Sequence, residues 1–336
     1  MLKVDTATGV SHADPAQFRQ EANPAATPMD SKLFDPSFDV IEVMNGTSPS
    51  TSVINDWMTF MSRGWLKVAS GVSDTHSTYN VVGGYGRTWV RLGVDTPAQF
   101  TSSGFADAMR ARRATFSSGP YIVMTAQKLD SMGMPSGPVF EIGDTVSIAS
   151  GTSLRLTVDV QAPEWMQFDS IEIHTHVDGR EALNGEANST LKPVQAALRK
   201  TYDPTMLPLE AVPGLNGFNA RRVHVRETFD VTATTDTWFV AAARSSSATR
   251  TLVPMAWDGV SCSGGICNAS GSRGWAITNA ILVDADGSGA YDDFPLKPTQ
   301  PLMVAPTPVD RGPRRVPSNA EFAAWLSKLM RHGHGE

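Results

Sequence analysis

The sequence predicts an α/β segment followed by an all-β, antiparallel sandwich of immunoglobulin-like architecture and a closing helix. Three observations lead there. Up to about residue 125, apolar runs of strand length alternate with a stretch of helical spacing, the grammar of α/β structure. Beyond Gly119-Pro120 come about seven short alternating or apolar runs, spread over ~160 residues and separated by Gly, Pro, Asn and Asp clusters. The 28 glycines and 22 prolines make up about 15% of the 336 residues, against an average of about 12%, an excess that suits a turn-rich chain.

Residues 1–37 are polar and turn-rich and read as irregular structure. Phe38–Met44 is a β-branched strand stopped by Asn45-Gly46. Val53, Trp57, Phe60 and Met61 recur at helical spacing, with Gly64 where a helix ends. Trp65–Ser70 and residues 86–92 are further strands. A helix from about Gly104 to Arg113 has Ser102 and Ser103 as cap candidates. The sandwich strands are expected at Tyr121–Ala126, Thr145–Ile148, Ser153–Gln161, Ser170–His176, Val223–Val231, Trp238–Ala243 and Ala276–Val283. Residues 184–220 form a long Asn/Pro/Leu-rich insertion with no readable periodicity. Residues 295–317 are Pro-rich and extended, and Ser318-Asn-Ala-Glu321 is a capping box opening a helix with Phe322, Trp325, Leu326 and Leu329. The expected division is 1–125, 126–294 and 295–336. A half-barrel of 125 residues leaves sheet edges and apolar faces uncovered, so either residues 1–125 are poorly stable in isolation or the C-terminal helix and Pro-rich tail dock over that surface.

Composition excludes several classes. The net charge of −6, without a basic block, argues against a nucleic-acid surface. No stretch approaches ~18 consecutive apolar residues, so no membrane span is expected. The first thirty residues lack a basic region followed by an apolar one, so no signal peptide is expected in this chain. Cys262 and Cys267, separated by Ser-Gly-Gly-Ile, allow a small disulfide loop, which would imply an exported parent protein. Two free thiols, or half of a zinc site, fit the same spacing. The compartment stays open.

Ser73-Asp74-Thr75-His76 ends a predicted strand. A carboxylate and an imidazole two residues apart on extended chain point the same way, and the pair suits Zn, Mn or Fe. A turn with Asp74 capping a backbone donor is the simpler alternative. Glu42 interrupts an apolar strand, a costly place for a carboxylate unless it is paired, bound to a cation, or turned to solvent on an edge. Asp284-Ala-Asp286-Gly-Ser288-Gly-Ala-Tyr-Asp292 places oxygen donors at positions 1, 3, 5 and 9 of a calcium loop with Gly at 6, although Pro295 stands at position 12 and a strand-ending turn reads equally from it. His174-Thr-His176 reads as an exposed strand face, with an adventitious metal site as the alternative, His12 as a surface residue, and His332 and His334 as tail residues.

The ordered set Phe38–Gly46, Asn55-Asp56-Trp57, Gly64 leading to Ser73-Asp-Thr-His76, and Gly84-Tyr-Gly-Arg-Thr88 resembles the polymerase-and-histidinol-phosphatase (PHP) metallohydrolases of the CehA/McbA type. Ala114–Pro120 and Thr278–Gly289 resemble two later segments of that branch. The resemblance implies a distorted β/α barrel around two or three metals and hydrolysis of phosphoesters or carbamate-type esters of a small-molecule substrate. By position it makes Asp74 and His76 metal ligands, Glu42 a further carboxylate ligand, and Arg87 a group for the substrate anion. The family's opening His-x-His has no counterpart upstream of Glu42, where only His12 stands. The cluster is therefore expected to be incomplete, either because this is the C-terminal part of a longer protein or because catalysis has been lost. Two rivals stand beside the hydrolase: a non-catalytic remnant whose sandwich binds a protein or glycan, and a calcium-stabilised adhesion-type module.

Overall fold

A computed structural model of the chain describes residues 38–46, 48–49, 51–62, 64–75, 84, 86–164, 168–176, 196–212, 220–245, 260–263, 266–269 and 274–293. The expected irregular opening with His12, the residue His76, and the Pro-rich tail and closing helix with His332 and His334 lie outside the described residues. The described residues fall within one compact unit and are mostly β-strand, with two α-helices.

The chain enters through a parallel β–α–β unit: β1 (Val40–Asn45), a short β2 (Ser48–Pro49), α1 (Thr51–Ser62) and β3 (Val68–Val72). In α1, Ile54, Trp57, Met58 and Met61 fall at i, i+3, i+4 and i+7, and all four are buried. Gly64, at a φ of 80°, closes the helix by donating to the Met61 carbonyl, a conformation glycine adopts without strain. Strict alternation would put Glu42 and Met44 on one face of β1. A bulge between them shifts the register against β3, so Met44 is buried while Glu42 stays exposed.

Then follow β4 (Arg87–Val90), α2 (Ser102–Arg110), β5 (Ala114–Ser117), β6 (Tyr121–Leu129), β7 (Pro135–Glu141), β8 (Thr145–Ser147), β9 (Ser153–Pro163) and β10 (Ser170–Thr175). After these come β11 (Leu198–Thr201), β12 (Leu209–Ala211), β13 (Arg221–Thr232), β14 (Thr237–Arg244), β15 (Val260–Ser263), β16 (Ile266–Ala269), β17 (Trp275–Thr278) and β18 (Ile281–Asp284). The cap of α2 is Thr101, whose side chain accepts from the Gly104 amide, rather than Ser102 or Ser103. The insertion at 184–220 supplies β11 and β12, and the apolar run expected at 276–283 breaks into β17 and β18 at Asn279-Ala280.

Two sheets pack face to face. The first has the order β12-β13-β9-β6-β7, and the second runs β11-β10-β14-β17-β5-β4, with β18 joining β14 to β8. In β9 every second residue from Leu154 to Ala162 is buried and the others are not, the signature of a sheet with one wet face. These residues meet Ile122 and Met124 of β6, Val223 and Phe229 of β13, and Ile171, Ile173, Phe239, Ala241 and Val283 of the second sheet. Burial of each large apolar side chain contributes about 1.5–3 kcal/mol.

The other face of the second sheet is covered as well. Trp238, Val240 and Ala242 of β14, Ile277 and Leu282 pack on Trp57, Met58 and Met61 of α1 and on Val43, Met44 and Ala69 of β1 and β3. This explains why β14 is apolar without alternation: it is buried on both faces. β5 pairs with β4 on one side and with β17 on the other, so segments from before and after residue 125 share one sheet. The apolar face of the β–α–β unit, which the sequence left for the tail to cover, lies against this sheet. Among the described residues no helix is long and apolar enough to cross a membrane.

Candidate functional site

Two places collect the residues that the sequence singled out. At the first, Asp74 follows the carboxyl end of β3, exposed and with a positive φ of 47°, a left-handed conformation that Asp tolerates better than most residues. Glu42 lies on the neighbouring parallel strand, exposed, its Oε1 accepting from Asn45 Nδ2 at 2.8 Å. His76, the imidazole expected beside them, lies outside the described residues. Gly86 walls this strand end: a Cβ there would stand 2.1 Å from the Val72 carbonyl and 2.5 Å from that of Gly46. Only glycine fits so close to backbone.

Arg87 is set apart from that strand end by strand alternation. Gly86 and Thr88 turn toward β3, the Thr88 hydroxyl bonding both the amide and the carbonyl of Gly71. Arg87 and Trp89 therefore leave the opposite face of β4, where the guanidinium lies 5.7 Å from the Trp89 ring centre. There they line a cavity of about 560 Å³.

The second place is the turn after β18. Asp284, fully buried, accepts through Oδ1 from the amides of Gly287 (2.8 Å) and Ser288 (3.2 Å), and through Oδ2 from that of Gly289 (2.7 Å). Asp286 accepts from the Ser288 amide at 2.9 Å, and the Ser288 hydroxyl reaches Asp292 at 3.3 Å. A third carboxylate arrives from the β13–β14 turn. Buried Asp236 takes the amide of Ala285 on one oxygen (2.8 Å) and those of Asp292 and Asp293 on the other (3.0 and 3.1 Å). Asp236, Asp284 and Asp286 each bring a carboxylate oxygen within 4.8 Å of the other two, a group that could hold a metal ion. Among the described residues it is the one such group of three.

Burial opposes the charge on Asp284. Hydrogen bonds from the Ser147 side chain and the Gly289 and Gly287 amides outweigh it, bringing the carboxyl down to about 2. Asp284, Asp286, Ser288 and Asp292 were legible as a loop pattern, whereas Asp236 was not: a lone Asp in Thr234-Thr-Asp-Thr237 carries no spacing signal.

His174 corrects an expectation. It is buried, not part of an exposed strand face, because β10 lies inside the second sheet and its polar side is drawn into an ionic network. At the centre is buried Glu172. Its Oε1 accepts from Arg244 Nε (2.6 Å) and is ion-paired with Arg199 Nε at 2.8 Å, and its Oε2 lies 3.1 Å from His174 Nε2. Burial raises the cost of the Glu172 charge, but His174 and Arg244 prevail and hold the carboxyl at about 2. His176, half-buried, follows just beyond β10, and among the described residues no metal-holding group of three includes either histidine.

Cys262 and Cys267 stand opposite each other in the register of the β15–β16 ribbon. Their side chains lie outside the described residues. No family model, curated protein or solved structure matches the chain.

Proposed function

We propose that the chain carries an incomplete form of the cation site of a PHP-type, metal-dependent hydrolase of phosphoester or carbamate-type ester bonds, in which Asp74 and His76 ligate the cation and Glu42 supplies a further carboxylate. The observation that supports this is the position of Asp74. It leaves the carboxyl end of a parallel strand in a β–α–β unit, in a left-handed conformation, and ligand sites of α/β sheets gather at the carboxyl ends of strands. The oxygen and nitrogen donors suit Zn, Mn or Fe, which when bound lowers the pKa of a water and polarises the scissile centre. In this reading β1 to β3 belong to a partial distorted barrel and the two packed sheets to an immunoglobulin-like sandwich.

The test loads the full chain with Zn, Mn or Fe, counts bound metal after dialysis, and assays p-nitrophenyl phosphate and a carbamate ester. Asp74→Asn and His76→Ala are expected to lose the metal and to lower turnover by more than the ~10–100-fold typical of outer-shell changes. Equal metal content in the wild type and the double variant overturns the reading.

The Asp236–Asp284–Asp286 group favours a second reading, in which the chain is a calcium-stabilised module. Carboxylates this close repel unless a cation or proton lies among them, and an all-oxygen donor set suits calcium. Calcium would then raise the melting temperature and EGTA would reverse it. An unchanged melting curve disposes of this reading without touching the first.

A further inference from the structure

We propose that the cavity beside β4 is a binding groove for a neutral, pyranose-type saccharide; this depends on neither the hydrolase nor the calcium reading. Its volume of about 560 Å³ falls within the ~300–1,000 Å³ usual for small-molecule sites. Two aromatic rings form its apolar floor, Trp89 at 42% exposure and Tyr121 at 39%. They are held in place. The Trp89 indole N–H donates to the buried Ser117 hydroxyl at 3.3 Å, and the Tyr121 ring stands edge-on to it at 5.6 Å and 75°. A floor fixed before binding keeps its entropy cost low.

The polar wall decides the ligand class. Arg221 is paired with Glu164, and Arg222 with Glu210 and with Gln161 Oε1 at 2.8 Å. With Arg221 and Arg222 matched locally and the Arg87 guanidinium held 5.7 Å from the Trp89 ring centre, the wall offers a simple ion no built site. It does offer guanidinium N–H donors beside carboxylate and amide acceptors, because Arg221 and Glu164 each keep bonding capacity beyond their pairing. A hydroxyl both donates and accepts, so a row of vicinal hydroxyls matches alternating donors and acceptors. A pyranose presents such a row at its edge and an apolar C–H face to lay on Trp89.

Isothermal titration of the full chain with maltohexaose and with the β-1,4-linked hexaoses of glucose, xylose and N-acetylglucosamine tests the proposal. At least one is expected to bind with a Kd between about 10 μM and 1 mM, little changed by added salt. Trp89→Ala and Tyr121→Ala should each weaken that binding about tenfold or more without lowering the melting temperature, and Trp89→Phe should retain most of it. Absence of binding to all four, binding abolished by salt, or wild-type affinity in a folded Trp89→Ala protein overturns it.

Discussion

Asn279 grips Ala69 with both ends of its side-chain amide: Oδ1 accepts from the Ala69 amide at 2.8 Å, and Nδ2 donates to the Ala69 carbonyl at 3.0 Å. The same Nδ2 donates to the Ala114 carbonyl at 2.8 Å. One fully buried side chain thus ties β3 to β5 and both to the β17–β18 corner. Asn279→Leu, which keeps the branching of the side chain but is bulkier, would remove the side-chain partners of the Ala69 amide and carbonyl and leave the Ala114 carbonyl only the Asn279 backbone amide. We expect a loss of about 2–4 kcal/mol in urea unfolding, with faster proteolysis between β3 and β4. A loss of under about 1 kcal/mol would show that the junction is held by apolar contact alone.

Tyr291 makes a smaller tie, its hydroxyl donating at 2.9 Å to the Met61 carbonyl, which also accepts from the Gly64 amide at the end of α1. Tyr291→Phe keeps the ring and removes the bond. The expected cost is about 1 kcal/mol, read from the urea midpoint at unchanged slope.

Gly86→Ala forces a methyl against two carbonyl oxygens of the strand end. Overpacking of this kind costs about 1–3 kcal/mol or displaces β4. If the hydrolase reading holds, metal affinity falls together with stability, because Asp74 leaves the same strand end. Dialysis and thermal melts on one preparation measure both.

Acid should weaken the fold through Glu172. Its carboxyl titrates at about 2 in the folded chain against an ordinary 4.5, so its contribution is complete above about 4.5 and is lost as pH falls toward 2. The contribution is roughly 3 kcal/mol at most. Asp284, lowered from 3.8 to about 2, acts in the same direction over a narrower range. Urea midpoints followed from neutral pH into this window should decline, and Glu172→Gln should flatten the curve. An unaltered slope in that variant would mean other carboxylates carry the acid sensitivity.

The β15–β16 register brings Cys262 and Cys267 opposite each other, a placement compatible with the Cα separation of a disulfide. Protein prepared without reductant should resist alkylation at both positions and take up two labels after reduction, as read by intact mass. Labelling before reduction would leave them as thiols.

The sequence by itself determined what depends on local periodicity. It determined the helix α1, where of the expected Val53, Trp57, Phe60 and Met61 the last three are buried and Val53 is half-buried, and the one-sided burial of β9. It also marked the Asp284–Asp292 turn, whose donors are close along the chain. Tertiary structure alone decided the rest. It brought Asp236 to Asp284 across two turns, buried His174, turned Arg87 away from β3, and covered β14 on both faces. The physical reason is that spacing along a chain states which side chains share a face, whereas burial, charge and ligand geometry depend on what distant segment packs against it.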